Sequence, residues 1–371
     1  MIWYYLPLIP LFLGMIAPKR NVFLNGKYVF QNDRFYLWLF LLTIFILTGF
    51  KGNIDPDYQN YLFYYHTIPK FDELNESNLN AIKDITSNVE LSVIYGMSFL
   101  KIFGLGFQFY YIVSALVSIF LISKISSYFD GSECIVGLVI YCFYIQPFFI
   151  QVRYLGGALC GIICILEYFN KGKINRTVIF YFLLGMLLHT VVVFTVPLLL
   201  GKWLYSLIRK NLFLILLIPC LLALVNVDSI LQYTYYVSDR YVNYLNASSS
   251  QKELGSIFSF AVREAIVVFL IAGFALSNRF SLEGLNNIRH SKALIFMLLS
   301  MLSIWAFAWQ FGMLYRVALM FEIGWLLFLL QGKKNVSFYF SWGVLLPYMI
   351  FRLYVGLAEL KGFKFADGWV Y

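Results

Sequence analysis

Ten apolar runs follow one another along the chain with only short polar segments between them, near residues 2–17, 35–49, 107–128, 134–150, 154–170, 211–227, 256–277, 293–309, 315–331 and 337–355. About 20 helical residues cross the hydrocarbon of a bilayer, and tilt or local thinning accommodates somewhat shorter runs. The runs are too continuous for the weak alternation of an outer-membrane barrel. Only 13% of the residues are charged, against about 25% in soluble domains. The expected fold is therefore all-α: a polytopic integral membrane protein of roughly ten to twelve transmembrane helices, forming one domain over residues 1–371. The pieces between the runs are too short for a core of their own, and no internal repeat is visible. Residues 2–17 have no basic region before them and are followed by Lys19 and Arg20, which suits a first span with its N-terminus outside better than a cleaved signal.

The net charge of +9 is explained by topology rather than by a nucleic-acid partner. Fifteen of the 28 Lys and Arg fall in 18–34, 171–176, 201–210, 278–292 and 331–335, as the positive-inside rule expects of cytoplasmic loops. Segment 50–90 holds seven acids and three lysines, and 228–255 holds three acids and two bases. These two are the expected larger outer, periplasmic loops. Two apolar stretches do not fit simple up-and-down counting. Stretch 91–104 is short and lies between segments that the charges place outside, and 177–206 joins two basic loops. One resolution is a broken or re-entrant path: 91–104 dips in and leaves on the outer side, while 177–188 rises, turns near His189 and returns. Such irregular backbone is tolerated at depth where it lines a cavity. The other resolution is a violation of the positive-inside rule in one loop. The five cysteines, Cys134, Cys142, Cys160, Cys164 and Cys220, all lie in apolar runs without metal-ligand spacing, and read as buried small hydrophobes.

Against this apolar background stand Arg153, Arg240, Arg263, Arg316, Arg352 and His189, each inside or at the edge of a run. A charge at such depth costs roughly 2.5–3.5 kcal/mol at a helix centre unless it is paired or faces a polar cavity. Several cations near one face of the membrane suggest a bound anion, and a lipid-linked diphosphate is the obvious one. Individually, each residue has an ordinary explanation. Arg153 either snorkels to the interface or clamps a phosphate with its planar fork. His189, in LLGMLLHTVVVF, is either a core imidazole or a general base. Arg263 and Glu264 are adjacent and do not face each other on a helix; Arg316 and Glu322, six residues apart, lie on different faces.

The first outer loop carries GNIDPDYQNYLFYYH. Asp55 and Asp57 flank Pro56 and suggest a turn, and Tyr58 and Tyr61 beside acids would suit either a sugar site or an interfacial aromatic belt. In the second loop Arg240 has Asp239, Tyr241 and Tyr244 as neighbours.

Taken in order, DPDYQNYLFYY, the Glu90 element, QVRYLGGAL followed by the basic KGKINR, GMLLHTVVVF, DRYVNYL and MLYRVALMF resemble the EpsG family, Wzy-type polymerases of bacterial surface polysaccharides. The likeness runs from about Asp55 to Phe321. It implies a glycosyltransferase of the bacterial inner membrane that needs no metal or other cofactor and works on the periplasmic side. Such an enzyme transfers a growing glycan en bloc from undecaprenyl diphosphate to a new lipid-linked repeat unit, making O-antigen, capsule or exopolysaccharide, with a chain-length regulator as a further partner. By position, Arg153, His189, Arg240 and Arg316 match the family's recurrent polar residues, and Asp55, Asp57 and Tyr61 match its first-loop motif. The family often has Gln after the motif arginine, where this chain has Tyr154.

Under that reading, Arg153, Arg240 and Arg316 bind the diphosphate and stabilise the negative charge that grows as it leaves. His189, or one of Asp55 and Asp57, takes the acceptor's proton, and Tyr58, Tyr61, Tyr241 and Tyr244 stack on sugar rings. Two other classes remain open: a flippase or other transporter for the same lipid-linked oligosaccharide, which would usually show repeated halves, and a membrane O-acyltransferase.

Overall fold

Most of the apolar runs in the N-terminal half become helices, and proline, glycine and β-branched residues set where they stop. The structure is a computed structural model that describes residues 2–17, 21–24, 27–54, 56–86, 89, 91–129, 132–200, 317–323, 336–358, 360 and 362–365, with single positions at 297, 300, 301 and 304. Its α-helices are α1 (Leu8–Ile16), α2 (Gln31–Gly49), α3 (Pro56–Thr67), α4 (Glu76–Ile85), α5 (Leu91–Ile102), α6 (Gln108–Ser126), α7 (Glu133–Phe143), α8 (Ile145–Phe149), α9 (Val152–Lys171), α10 (Arg176–Leu188) and α11 (Val336–Ala358). Short 3-10 segments occupy Ile2–Tyr5, Phe71–Glu73 and Thr190–Leu200. Among the described residues, an antiparallel hairpin departs from the helical pattern, formed by β1 (Asn21–Leu24) and β2 (Lys27–Phe30), with Leu24 opposite Lys27. The intervening pair is Asn25-Gly26, the dipeptide that two-residue hairpins favour.

Helices α6 and α9 are long and apolar enough to cross a membrane. Positions 154–168 of α9 are all buried, whereas α6 exposes Val113, Leu116 and Phe120 along one stripe. α2 exposes Phe35, Trp38, Leu42 and Ile46, and α10 exposes Ile179, Phe180, Leu183 and Leu187. Apolar stripes of this size on several helices belong against lipid or a partner, not water.

The chain divides into two compact units, one of Met1–Cys164, Arg176–Val193 and Met349–Tyr371 and one of Ile165–Asn175 and Phe194–Tyr348. In the first, α2 packs on α1, α6 and α7, and α5 packs on α3, α6 and α10. Residues near both chain ends meet there: Trp3 and Tyr4 lie against Phe363, and Phe149 touches both Tyr4 and Phe363. In the second unit, Tyr348 donates to the buried Glu322 at 2.8 Å, and Asn175 donates to Glu167 at 3.0 Å.

Several expectations about continuity are corrected. Run 134–150 breaks at Tyr144 into α7 and α8, because Pro147 has no N–H to offer the Phe143 carbonyl one turn back. Run 2–17 breaks at Leu6 and Pro7 between its 3-10 segment and α1. The turn expected at Asp55–Asp57 is instead the start of α3, with Pro56 first and Asp57 in the first turn; proline suits that position because its missing N–H would have had no intrahelical partner. Within stretch 91–104, Leu91–Ile102 form one continuous helix, α5, and a turn follows it. There Gly104, at φ +64°, donates to Lys101 O while Leu105 donates to Leu100 O, a Schellman cap that needs a left-handed residue.

At His189 helix α10 has ended and the chain turns. Gly185 lies so close to Val192 that an added Cβ would sit 2.8 Å from that side chain, an approach that residues seven apart on a straight helix do not make. The run Thr190-Val191-Val192-Val193 is β-branched throughout, and such residues are weak helix formers. The small residues of α9 let this turn sit against it, since Cβ atoms at Gly156 and Gly157 would meet Leu188 and His189 at 2.8 Å each. Cys160 and Cys164, on the same face of α9, contact Gly185 and the Val178 carbonyl of α10.

Candidate functional site

Helix α3 gathers three tyrosines on one face, because positions 58, 61 and 65 recur at helical spacing. All three are buried, in a core cluster with Ile68, Val93, Met97, Phe107, Tyr111 and Val152. Tyr58 stacks on Tyr111 with 10° between the planes and meets Phe107 edge-on. Tyr61 lies against Tyr110 and Tyr111. Tyr65 donates to the Leu105 carbonyl at 2.7 Å, and burial raises its pKa above the ordinary tyrosine value. Lys101 reaches the Ile68 carbonyl and Ser98 the Pro69 carbonyl, so the segment after α3 is fastened to α5.

Arg153 enters this cluster from the first turn of α9. Its Nε donates to the Tyr61 hydroxyl at 2.7 Å, and the two residues are 92 positions apart in sequence. A bond at Nε orients the guanidinium plane and fixes the direction of its outer edge. The next residue, Tyr154, meets the His189 ring edge-on at 5.7 Å. His189 directly follows α10, and its Nδ1 accepts the Val191 N–H at 3.1 Å. A nitrogen that accepts carries no proton, so the neutral ring is assigned as the tautomer protonated on Nε2. Held this way, Nε2 donates rather than accepts.

The structure thus links Tyr61 to Arg153, and places His189 against the residue that follows Arg153. Asp57 is half-buried in the first turn of α3. Asp55, Arg240, Tyr241, Tyr244, Arg263 and Arg316 lie outside the described residues. Arg352 sits on the Phe143 ring, 5.5 Å from its centroid. Among the described residues, no three His, Cys, Asp or Glu side chains form a metal-binding group.

Sequence reasoning passes over one residue of this region, Lys51. A lysine just beyond an apolar run ordinarily snorkels to the interface. Lys51 instead is 0% exposed, donates to the Phe149 carbonyl at the end of α8, and lies 4.3 Å from the centre of the Tyr111 ring. Its own backbone is held by Gln108, which donates to Gly49 O at 2.6 Å and Lys51 O at 3.3 Å, and by a β-bridge to Phe365. Lys51 therefore ties the end of α2 to the α8–α9 break from which Arg153 projects. The available signal was its place: a cation at the start of a loop in which acids outnumber lysines seven to three. Lys51→Met, which keeps length but removes the donor and the charge, is expected to cost about 1–3 kcal/mol of stability, read as a lower midpoint in thermal unfolding of the detergent-solubilised protein.

Tyr61→Phe tests the coupling at Arg153. It keeps the ring packing and removes only the acceptor of the 2.7 Å bond. A net loss near 1.5–3 kcal/mol for a charge-assisted hydrogen bond corresponds to roughly ten- to hundredfold lower activity, compared at equal protein level.

Neither the comparison with curated proteins nor that with solved structures returned a significant match. The match that does emerge spans nearly all of the residues just described: the family model described as "EpsG family" covers residues 34–365. With its apolar helices, their exposed apolar stripes and this match over most of its length, the chain is a membrane protein that belongs to the EpsG family.

Proposed function

We propose that the chain is a polysaccharide polymerase of the bacterial inner membrane, acting at the periplasmic face on undecaprenyl-diphosphate-linked oligosaccharides. The observation that carries this reading is the Arg153–Tyr61 pair, a guanidinium held by a hydrogen bond at its Nε within a chain of the EpsG family. In the reaction the bond between the donor sugar's anomeric carbon and the diphosphate oxygen breaks. A bond from an acceptor hydroxyl oxygen to that carbon forms, and undecaprenyl diphosphate leaves. Arg153, with Arg240 and Arg316, balances the charge that accumulates on the departing diphosphate, so the reaction needs no metal. A preorganised cation in a water-poor site stabilises that transition state more than the ground state.

The direction of the His189 hydrogen bond changes its assignment. With Nδ1 occupied by Val191, His189 donates from Nε2, which suits a leaving phosphate oxygen better than an acceptor hydroxyl. The acceptor proton then goes to a first-loop carboxylate, Asp57 or Asp55. Tyr58 stacks on Tyr111 and Tyr61 engages Arg153, so their role is to build the wall and aim the cation. Sugar stacking falls to Tyr241 and Tyr244 of the second outer loop. Deletion of the chain tests the class of activity: single lipid-linked repeat units accumulating on the outer face support polymerisation. Accumulation on the inner face would indicate a flippase, and polymer of unchanged length lacking acyl groups would indicate an acyltransferase.

A further inference from the structure

Helices α5 and α6, the first turn of α9 and the end of α10 line a cleft of about 270 Å³. Its walls are mainly apolar, with Gly96 and Phe99 on α5, Val113 and Val117 on α6, and Leu188 on α10. Arg153 is the charged residue in the lining. Gly96 opens the cleft: a Cβ added there would meet nothing within 4 Å. The Ser114 hydroxyl, also in the lining, donates to the Tyr110 carbonyl of its own helix at 2.8 Å.

We propose that this cleft seats the first isoprene units of a polyprenyl diphosphate, with the diphosphate at Arg153 and the chain running past Gly96 between α5 and α6. The inference rests on the polymerase reading and specifies where its lipid lies. A sugar in these walls would leave hydroxyls without partners, which is costly away from water; hydrocarbon loses nothing there and gains burial. A cation among apolar walls matches an amphiphile whose anion is joined directly to its hydrocarbon. A single cleft of this size suits one chain, whereas a glycerophospholipid carries two. Val113, 48% exposed, and the rest of the exposed α6 stripe would let the remainder of the chain pass into the bilayer.

The test is binding to the purified full-length protein, with farnesyl diphosphate, inorganic pyrophosphate and phosphatidylglycerol as separate probes. The variants are Gly96→Phe, which fills the open position, Val113→Trp, which narrows the cleft from a surface position on the other wall, and Arg153→Ala. Farnesyl diphosphate is expected to bind Gly96→Phe and Val113→Trp at least about tenfold more weakly than wild type, a difference of about 1.4 kcal/mol. Both variants should keep wild-type affinity for pyrophosphate, while Arg153→Ala loses both ligands. Wild-type affinity for farnesyl diphosphate in whichever cleft variant elutes as a folded protein would overturn the proposal, as would equal competition by phosphatidylglycerol. The polymerase reading fails separately: cleft-dependent binding by a protein whose deletion leaves the cell's polysaccharide unchanged would remove that reading and keep the lipid site.

Discussion

Arg153→Ala is expected to reduce polymer formation by about 10²–10³-fold, the range found when one preorganised transition-state donor is removed, with the protein still in the membrane at normal abundance. Arg153→Lys should recover little of this. Lysine keeps the charge but offers a single point donor, so it cannot both donate to Tyr61 at 2.7 Å and present a planar edge to a phosphate. Tyr61→Phe should fall between wild type and Arg153→Ala, because the cation remains and only its aim is loosened. The double variant Arg153→Ala/Tyr61→Phe should be no worse than Arg153→Ala alone, since residues acting through one contact are not additive. Immunoblotting of membranes beside size-resolved polysaccharide gives both readouts. Long-chain polymer at wild-type level from Arg153→Ala would remove the electrostatic argument.

The second large effect is expected at His189. Its substitution by alanine should lower the rate by about 10²–10³-fold, the range for one preorganised hydrogen-bond donor to developing negative charge. Two replacements separate its two nitrogens. His189→Asn keeps a short acceptor for the Val191 N–H but nothing that reaches where Nε2 stands; His189→Gln offers an N–H at greater reach. Single-turnover rates with a defined lipid-linked donor should fall fully in the Asn variant and recover partly in the Gln variant. The opposite order would return His189 to the role of a base or a mere support for the turn.

The sequence shows the helices more readily than their breaks. Run length and charge distribution place α2, α6 and α9, because a bilayer demands continuous apolar helix and leaves little choice. The α7–α8 break has a local cause in Pro147, and the turn near His189 has one in the β-branched run after it. Helices α3 and α4 were not anticipated, since a polar, aromatic loop with Pro56 reads as a turn; burial of Tyr58, Tyr61 and Tyr65 against α5 and α6 stabilises helix there, a tertiary effect that periodicity in one segment does not display. Of the site, Arg153 and His189 were identifiable as polar groups in or beside apolar runs, and Tyr61 as a ring beside acids in a loop. Their pairing was not, because a contact between positions 61 and 153 leaves no trace in either segment. Lys51 was missed for the opposite reason: lysine at a span end is so commonly a snorkelling residue that only its burial distinguishes it.

Reconstitution gives the most direct measurement of the central claim. The purified protein in liposomes, supplied with a synthetic undecaprenyl-diphosphate-linked repeat unit and a metal chelator, should yield a ladder of longer glycans and release one undecaprenyl diphosphate for each linkage formed; Arg153→Ala liposomes should yield neither. Movement of the repeat unit across the bilayer with no elongation, or elongation undiminished in Arg153→Ala, would contradict the account.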